Sequence, residues 1–207
     1  MDPEGALRER LVDVGVELVL TEGTASLGLR EIARRAGVSH GAPRRYFPTH
    51  RSLLSAIARR GFEELSTRTA AATAETADPR AQLSAMAHAY VAYALERRGM
   101  FELMFRHDLL DSGHPDRPDG ALDGPLLREA TIPMFKHVVG LVTRCRAAAD
   151  APPADVVAAA LWSNLHGIAQ LWSWGSLQLA TAPALAPATP DHLIEAALQA
   201  HLGPATA

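Results

Sequence analysis

The sequence predicts an all-α fold, and three observations carry that prediction. Apolar residues recur at three- and four-residue steps along most of the chain, and no segment alternates apolar and polar residues as a half-buried strand would. Aromatic residues make up only 5% of the chain while alanine is abundant, a balance that suits closely packed helices. With 207 residues, 48% of them apolar, there is enough material for a substantial core. About nine helices are expected.

The first helix is read from Leu7, Leu11, Val14 and Leu18, spans residues 4–21 and ends at Gly23. Leu29, Ile32, Ala33 and Ala36 define a short second helix stopped by Gly37, and Ser39 to Phe47 can form a third. Thr49 caps a fourth, with Leu53, Leu54, Ile57, Ala58, Phe62 and Leu65 on its buried face, running to about Glu75. Asp78-Pro79 is a cap followed by a first-turn proline, opening a helix with Leu83, Met86, Tyr90 and Ala94 at helical steps. Gly99 separates that helix from MFELMFRHDLL, which is apolar nearly all round. The stretch DSGHPDRPDGALDGP, Asp111 to Pro125, reads as a loop. Two long helices follow near residues 126–149 and 154–178, and Pro133 should kink the first or delay its start. TAPALAPATP is a linker, after which Thr189-Pro190 starts a last helix bearing Leu193, Ile194, Ala197, Leu198 and His201.

Charge divides the chain unevenly. The net charge is −3, yet residues 1–60 hold ten arginines against seven carboxylates, so the head is basic and the remainder acidic. An anionic partner would therefore meet the head alone. The single Cys145 excludes an intrachain disulfide and fits a reducing compartment. MDPEGALRER lacks the apolar run of a signal peptide, and no window approaches the roughly 18 uninterrupted apolar residues of a membrane span. A cytoplasmic protein with no membrane partner is expected.

Leu29 to Phe47 has the parts of a helix-turn-helix. Such a unit needs a small residue where the two helices cross, and Ala33 supplies it. It needs a turn residue tolerant of positive φ, and Gly37 stands four positions on. Ile32, Ala36, Val38, Tyr46 and Phe47 can lock the helices together, and Ser39 can cap the second of them. With Val38, Ala42 and Tyr46 turned inward, His40, Arg44 and Arg45 project toward a groove. Arginine reads guanine edges and clamps phosphates, so double-stranded DNA is the partner this face fits.

The segment LREIARRAGVSHGAPRRYFPTHRSLLSAIA resembles the N-terminal domain of the tetracycline-repressor (TetR) family of bacterial transcription regulators, over about residues 7–60. The resemblance implies a DNA-binding head at 1–48, with the start of the fourth helix to about residue 60 attached to it. It implies a ligand-binding and dimerisation body at 49–207, and a homodimer released from its operator when a small-molecule effector binds the body. On the matching positions the implied DNA contacts are Arg30, Ser39, His40, Arg44, Arg45, Tyr46, Thr49 and His50. The chain departs from the family pattern at Pro43-Arg44, where an apolar residue and a tyrosine are usual. It departs again at His50, which stands for a common lysine, and at Gly28, which replaces a Ser or Thr cap.

In the body, ALWSNLHGIAQLWSWG places Trp162 and His166 four apart on one face, beside Gly167. The W-x-x-x-H-G pattern resembles a C-terminal domain type found in many family members. These two residues are either core packing around a hydrogen-bonded imidazole or the wall of an effector pocket. Met86, Tyr90, Phe101, Met104, Phe105, Met134 and Phe135 are further pocket candidates, since Met and aromatic side chains adapt to apolar ligands, although such a stripe is also what a plain core looks like. Leu161, Leu165, Ile168, Leu171, Trp172, Leu193, Ala197 and Leu198 are candidates for a four-helix dimer interface built by the last two long helices.

No enzyme is read from the sequence. The nine histidines are scattered, without H-E-x-x-H, a cysteine pair, a G-x-S-x-G elbow or a phosphate-cradling glycine loop, so no metal or cofactor is expected. The alternative to a regulator is an all-helical ligand-binding or protein-interaction module whose head lacks specific operator recognition, a reading raised by Pro43 and Gly28.

Overall fold

The computed structural model describes residues 3–110, 127–145, 152–181 and 189–204. The expected loop at Asp111 to Pro125 and most of the expected linker lie outside these residues. Among the described residues there are ten α-helices and no strand, so the all-α expectation holds. In order they are α1 (Pro3–Glu22), α2 (Leu29–Arg35), α3 (Pro43–Tyr46), α4 (His50–Thr73) and α5 (Pro79–Glu96). There follow α6 (Arg98–Met104), α7 (Leu127–Cys145), α8 (Ala154–Ser173), α9 (Ser176–Thr181) and α10 (Pro190–Leu202).

The ends sit where the punctuating residues put them. The Thr49 hydroxyl accepts the Ser52 N–H at 2.9 Å, the Asp78 carboxylate accepts the Ala81 N–H at 2.7 Å, and the Thr189 hydroxyl accepts the His192 N–H at 3.4 Å. Each satisfies a donor that the first helical turn leaves without a backbone partner. Two departures have local causes. The helix expected over 154–178 is broken into α8 and α9 because the chain turns at Gly175, whose φ of 76° is open to glycine at no steric cost. The start of α7 at Leu127 is not delayed by Pro133, which is held inside the helix.

The chain forms two compact units. The first comprises Met1–Glu64 and Arg97–Thr131. Its core is built from Leu11, Leu18, Ile32, Leu53, Ile57, Met100, Leu103 and Met104, all essentially without solvent contact. Here α6 lies on α1, with the Thr24 hydroxyl 3.4 Å from the Glu102 carboxylate and Arg97 paired with Glu64 at 3.3 Å. Although α6 falls within the 49–207 stretch that the sequence assigns to the body, it packs with the head. The second unit comprises Leu65–Glu96 and Ile132–Ala207, and its frame is α5, α8 and α10 packed on one another. Leu83, Val91, Ala158, Leu161, Ala169, Ile194 and Leu198 fill that frame.

Candidate functional site

In the first unit the geometry of the turn begins with Ala33, which is fully buried and whose carbonyl accepts the Val38 N–H at 3.0 Å. Gly37 occupies the left-handed region at φ 68°, closing α2. Beyond it the expected cap is built differently. The Ser39 hydroxyl makes no cap hydrogen bond; its carbonyl accepts the Ala42 N–H at 3.0 Å instead. The reason is Pro43, which has no N–H to return to the Ser39 carbonyl four residues back, so the α-helix starts at Pro43 and is a single turn. That turn is pinned at both ends. Pro43 is buried, Phe47 is 2% exposed and receives the Arg8 guanidinium over its ring at 5.1 Å, and the Phe47 N–H bonds the Pro43 carbonyl at 2.8 Å.

Anchoring one face turns the other outward. His40, Arg44 and Arg45 are exposed, and none of their side chains has a hydrogen bond or ion pair with a described residue; the same holds for the Arg30 side chain at the start of α2. Tyr46 is half-buried beside them. Two of the remaining expected DNA contacts have their polar groups engaged within the unit. Thr49 caps α4, and its own N–H reaches the Ser52 hydroxyl at 3.2 Å. The His50 Nε2–H donates to the Leu27 carbonyl, so the donor expected to face DNA instead fastens the start of α4 to the segment before α2. Gly28 precedes α2 without any side-chain cap, as its lack of a hydroxyl requires.

The neighbouring arginines are held differently. Glu31 receives Arg34 through Nε at 2.8 Å and Nη2 at 2.5 Å, and receives Arg35 through Nε at 2.8 Å, while Arg35 also reaches Glu22 on α1. Hydrogen bonds from Arg34 and then Arg35 hold the Glu31 carboxyl down at about 2. Sequence reasoning missed this cluster, though its signal was present: Glu31 is three and four residues before two arginines on a helix.

In the second unit Tyr90 of α5 meets Trp162 and His166 of α8. The tyrosine oxygen accepts the Trp162 Nε1–H at 3.1 Å and lies 2.9 Å from His166 Nδ1. The phenol and Nδ1 share one hydrogen bond, its direction set by the imidazole tautomer. Burial favours the neutral forms of both groups, pushing His166 below its usual pKa and the Tyr90 phenol well above its own. Met86 is buried one helical turn before Tyr90, and Trp162 keeps 40% of its surface exposed. On α7, Met134 is half-buried and Phe135 exposed. The other three pocket candidates lie in the first unit. There Phe105 stacks edge-on against Phe62 at 5.6 Å and tilts against Phe101 at 4.9 Å, and Met104 fills the space beside Gly61.

The interface candidates also divide. Leu161, Leu165, Ile168, Ala197 and Leu198 are turned inward, because α8 and α10 pair within the chain and take up each other's apolar stripes. Helical periodicity alone cannot assign such a stripe to a chain's own core or to a partner. Leu171 is exposed, and Trp172 and Leu193 are half-buried.

Two family models match the chain. Residues 11–57 match the one described as bacterial regulatory proteins, tetR family, and residues 83–200 match the tetracyclin repressor-like C-terminal domain. The chain belongs to the TetR family. The helix-turn-helix and the α5–α8–α10 frame are thus the DNA-binding and C-terminal parts of a TetR-family transcriptional regulator. An uncharacterized HTH-type transcriptional regulator from the dhlA 5′ region of Xanthobacter autotrophicus is 35% identical over 95 residues, which are 45% of this chain and 47% of that protein. The match therefore spans about half the length of that relative. Among solved structures, a protein of unknown function from Rhodococcus sp. RHA1 is similar over 95% of this TetR-family chain and 93% of its own, with 31% identity and a TM-score of 0.72. The multidrug binding protein EbrR complexed with imidazole is 25% identical, with a TM-score of 0.59 over the whole of this chain and 93% of its own.

Proposed function

We propose that this TetR-family protein is a homodimeric operator-binding repressor, released from double-stranded operator DNA by an apolar small-molecule effector held in the second unit. The observation that carries the DNA reading is the one-turn α3: Pro43 and Phe47 are buried beneath it, and the His40, Arg44 and Arg45 side chains stand exposed above it without intramolecular partners among the described residues. Guanidinium and imidazole groups mounted in this way suit groove and phosphate contact. Support for the effector comes from the hydrogen-bonded Tyr90–Trp162–His166 group in an otherwise apolar frame, and from the imidazole complex of the multidrug-binding relative.

The experiment is selection of bound fragments from genomic DNA, followed by a salt titration on the recovered fragment and on random duplex. A fragment held at least about a thousandfold more tightly than random duplex is expected. Failure to recover one would favour a helical binding module whose head lacks operator specificity, the reading that Pro43 and the cap-less Gly28 raise. Within the operator reading, Arg45→Ala relaxes sequence preference, whereas Arg44→Ala weakens binding to all sequences and flattens the salt dependence by about one unit of slope. Equal losses on both DNAs for both variants would refute that division of roles.

A further inference from the structure

We infer that Glu31 is a specificity-determining residue that acts by withholding two arginines from DNA. The inference rests on the operator-binding reading of the head. Arg30 and Arg34 are four residues apart on α2, so they share a face of the helix. Arg30 opens that face exposed and with no partner among the described residues. A guanidinium one turn further along is within a side chain's reach of the same phosphate track. Yet Arg34 is folded back onto Glu31 in a two-point contact, with Nε on Oε2 at 2.8 Å and Nη2 on Oε1 at 2.5 Å. Arg35 is held from two sides, by Glu31 at 2.8 Å and by Glu22 of α1.

Planar two-point pairing is the strongest geometry an arginine has for a carboxylate, and it is the same geometry with which arginine grips a phosphate. The carboxylate therefore competes for the donors that DNA would use. Its charge persists over the whole range in which the protein would work, so the carboxylate competes with phosphate for these donors at neutral pH. Phosphate contacts carry affinity and salt dependence without sequence information. A head with Arg30 and Arg34 available on one face of α2 and Arg35 beside it would hold any duplex. With Glu31 present, α2 offers Arg30 alone, and discrimination is left to His40, Arg44 and Arg45.

The test is binding of the full chain to the selected fragment and to random duplex between low and moderate salt. Four proteins are compared: wild type, Glu31→Gln, Arg34→Gln and the double variant. Gln, Glu and Arg have similar helix propensities, so α2 should persist, and far-ultraviolet circular dichroism on each variant checks it. In Glu31→Gln, affinity for random duplex rises, and the slope of log affinity against log salt steepens by about 0.9 for each guanidinium that reaches a phosphate, so by about 1 to 2. Arg34→Gln in the wild-type background leaves the slope unchanged, because that side chain is already occupied. In the Glu31→Gln background the same substitution removes about one unit of the added slope.

A flatter slope for Arg34→Gln alone would show that Arg34 already touches DNA, and would overturn the inference. So would an unaltered slope in a folded Glu31→Gln protein. If Glu31→Gln does not fold, Glu31→Ala, which removes the same carboxylate with the best helix-forming residue, must raise random-duplex affinity or the inference falls. Absence of any fragment preferred by the wild type is a different failure, since it removes the operator reading beneath the inference.

Discussion

At the residue scale, the phenol oxygen of Tyr90 joins two partners: it accepts from Trp162 and shares a hydrogen bond with His166. Phenylalanine in its place keeps the ring and the packing but deletes the oxygen that two partners share. Removing one partner of buried polar groups costs about 1 to 3 kcal/mol, and Trp162 is exposed enough to recruit water. Tyr90→Phe should therefore lose about 1 to 2 kcal/mol, read by urea unfolding followed through tryptophan fluorescence. A change within about 0.5 kcal/mol would show that the oxygen is not the hub drawn here. The imidazole sets a pH dependence as well. The usual histidine value is 6.5, and burial puts His166 below it in the folded chain. Between the two values the unfolded chain binds a proton that the folded one does not, so stability falls as pH drops from about 6.5 and levels off beneath the folded value. Trp162 and His166 could be paired from their four-residue spacing, and Tyr90 could be set on a neighbouring helix face. That one hydroxyl would join them depends on how α5 lies against α8, which spacing within either helix does not encode.

At the element scale, the same limit separates what was legible from what was not. Caps are local chemistry, so Gly23, Thr49, Asp78 and Thr189 could be read directly as boundaries. The single turn of α3 is not legible in the sequence, because a first-turn proline is compatible with a longer helix, whereas here Pro43 sets where the turn begins. The placement of α6 was not readable either. Gly99 looks like a separator in the sequence, yet in the fold a Cβ there would stand 2.3 Å from the Val19 carbonyl of α1. Its function is to let two backbones approach. Backbone cannot move aside as a side chain can, so Gly99→Ala should lift α6 from α1 and destabilise the first unit by about 2 kcal/mol or more. At Gly61 the atoms in the way are the flexible ends of Met100 and Met104, and at Gly15 the end of Ile57, so alanine there should be milder. Thermal unfolding of the three variants gives the ranking; Gly99→Ala as mild as the Gly61 variant would mean that α6 is not seated by that contact.

At the scale of the whole molecule, the proposed dimer must use surface that the chain does not already use itself. The inward stripe of α8 is consumed by α5 and α10, as the burial of Leu161, Leu165 and Ile168 records. On the opposite face Val156, Ala160, Asn164, Gly167, Leu171 and Trp174 follow one another at three- and four-residue steps. Val156, Leu171 and Trp174 are exposed, and a Cβ at Gly167 would meet nothing within 4 Å. A stripe of apolar and small residues on a long helix is the geometry that lets a symmetry-related helix approach closely. Two recognition turns need such a partner to engage two half-sites. Leu171 is the discriminating position, because it is the large apolar residue of α8 that is exposed, at 39%, on the outer stripe beside Gly167. Leu171→Glu would bury a like-charge pair near the two-fold axis of the dimer and should raise the dimer dissociation constant by a hundredfold or more, given that burying uncompensated charge costs several kcal/mol. Sedimentation velocity should show a folded monomer with an unchanged circular dichroism spectrum. Operator binding should weaken far more than random-duplex binding, since losing the second half-site removes linked contacts that random DNA never rewarded. A Leu171→Glu protein that remains dimeric and binds its operator normally would place the partner on another face.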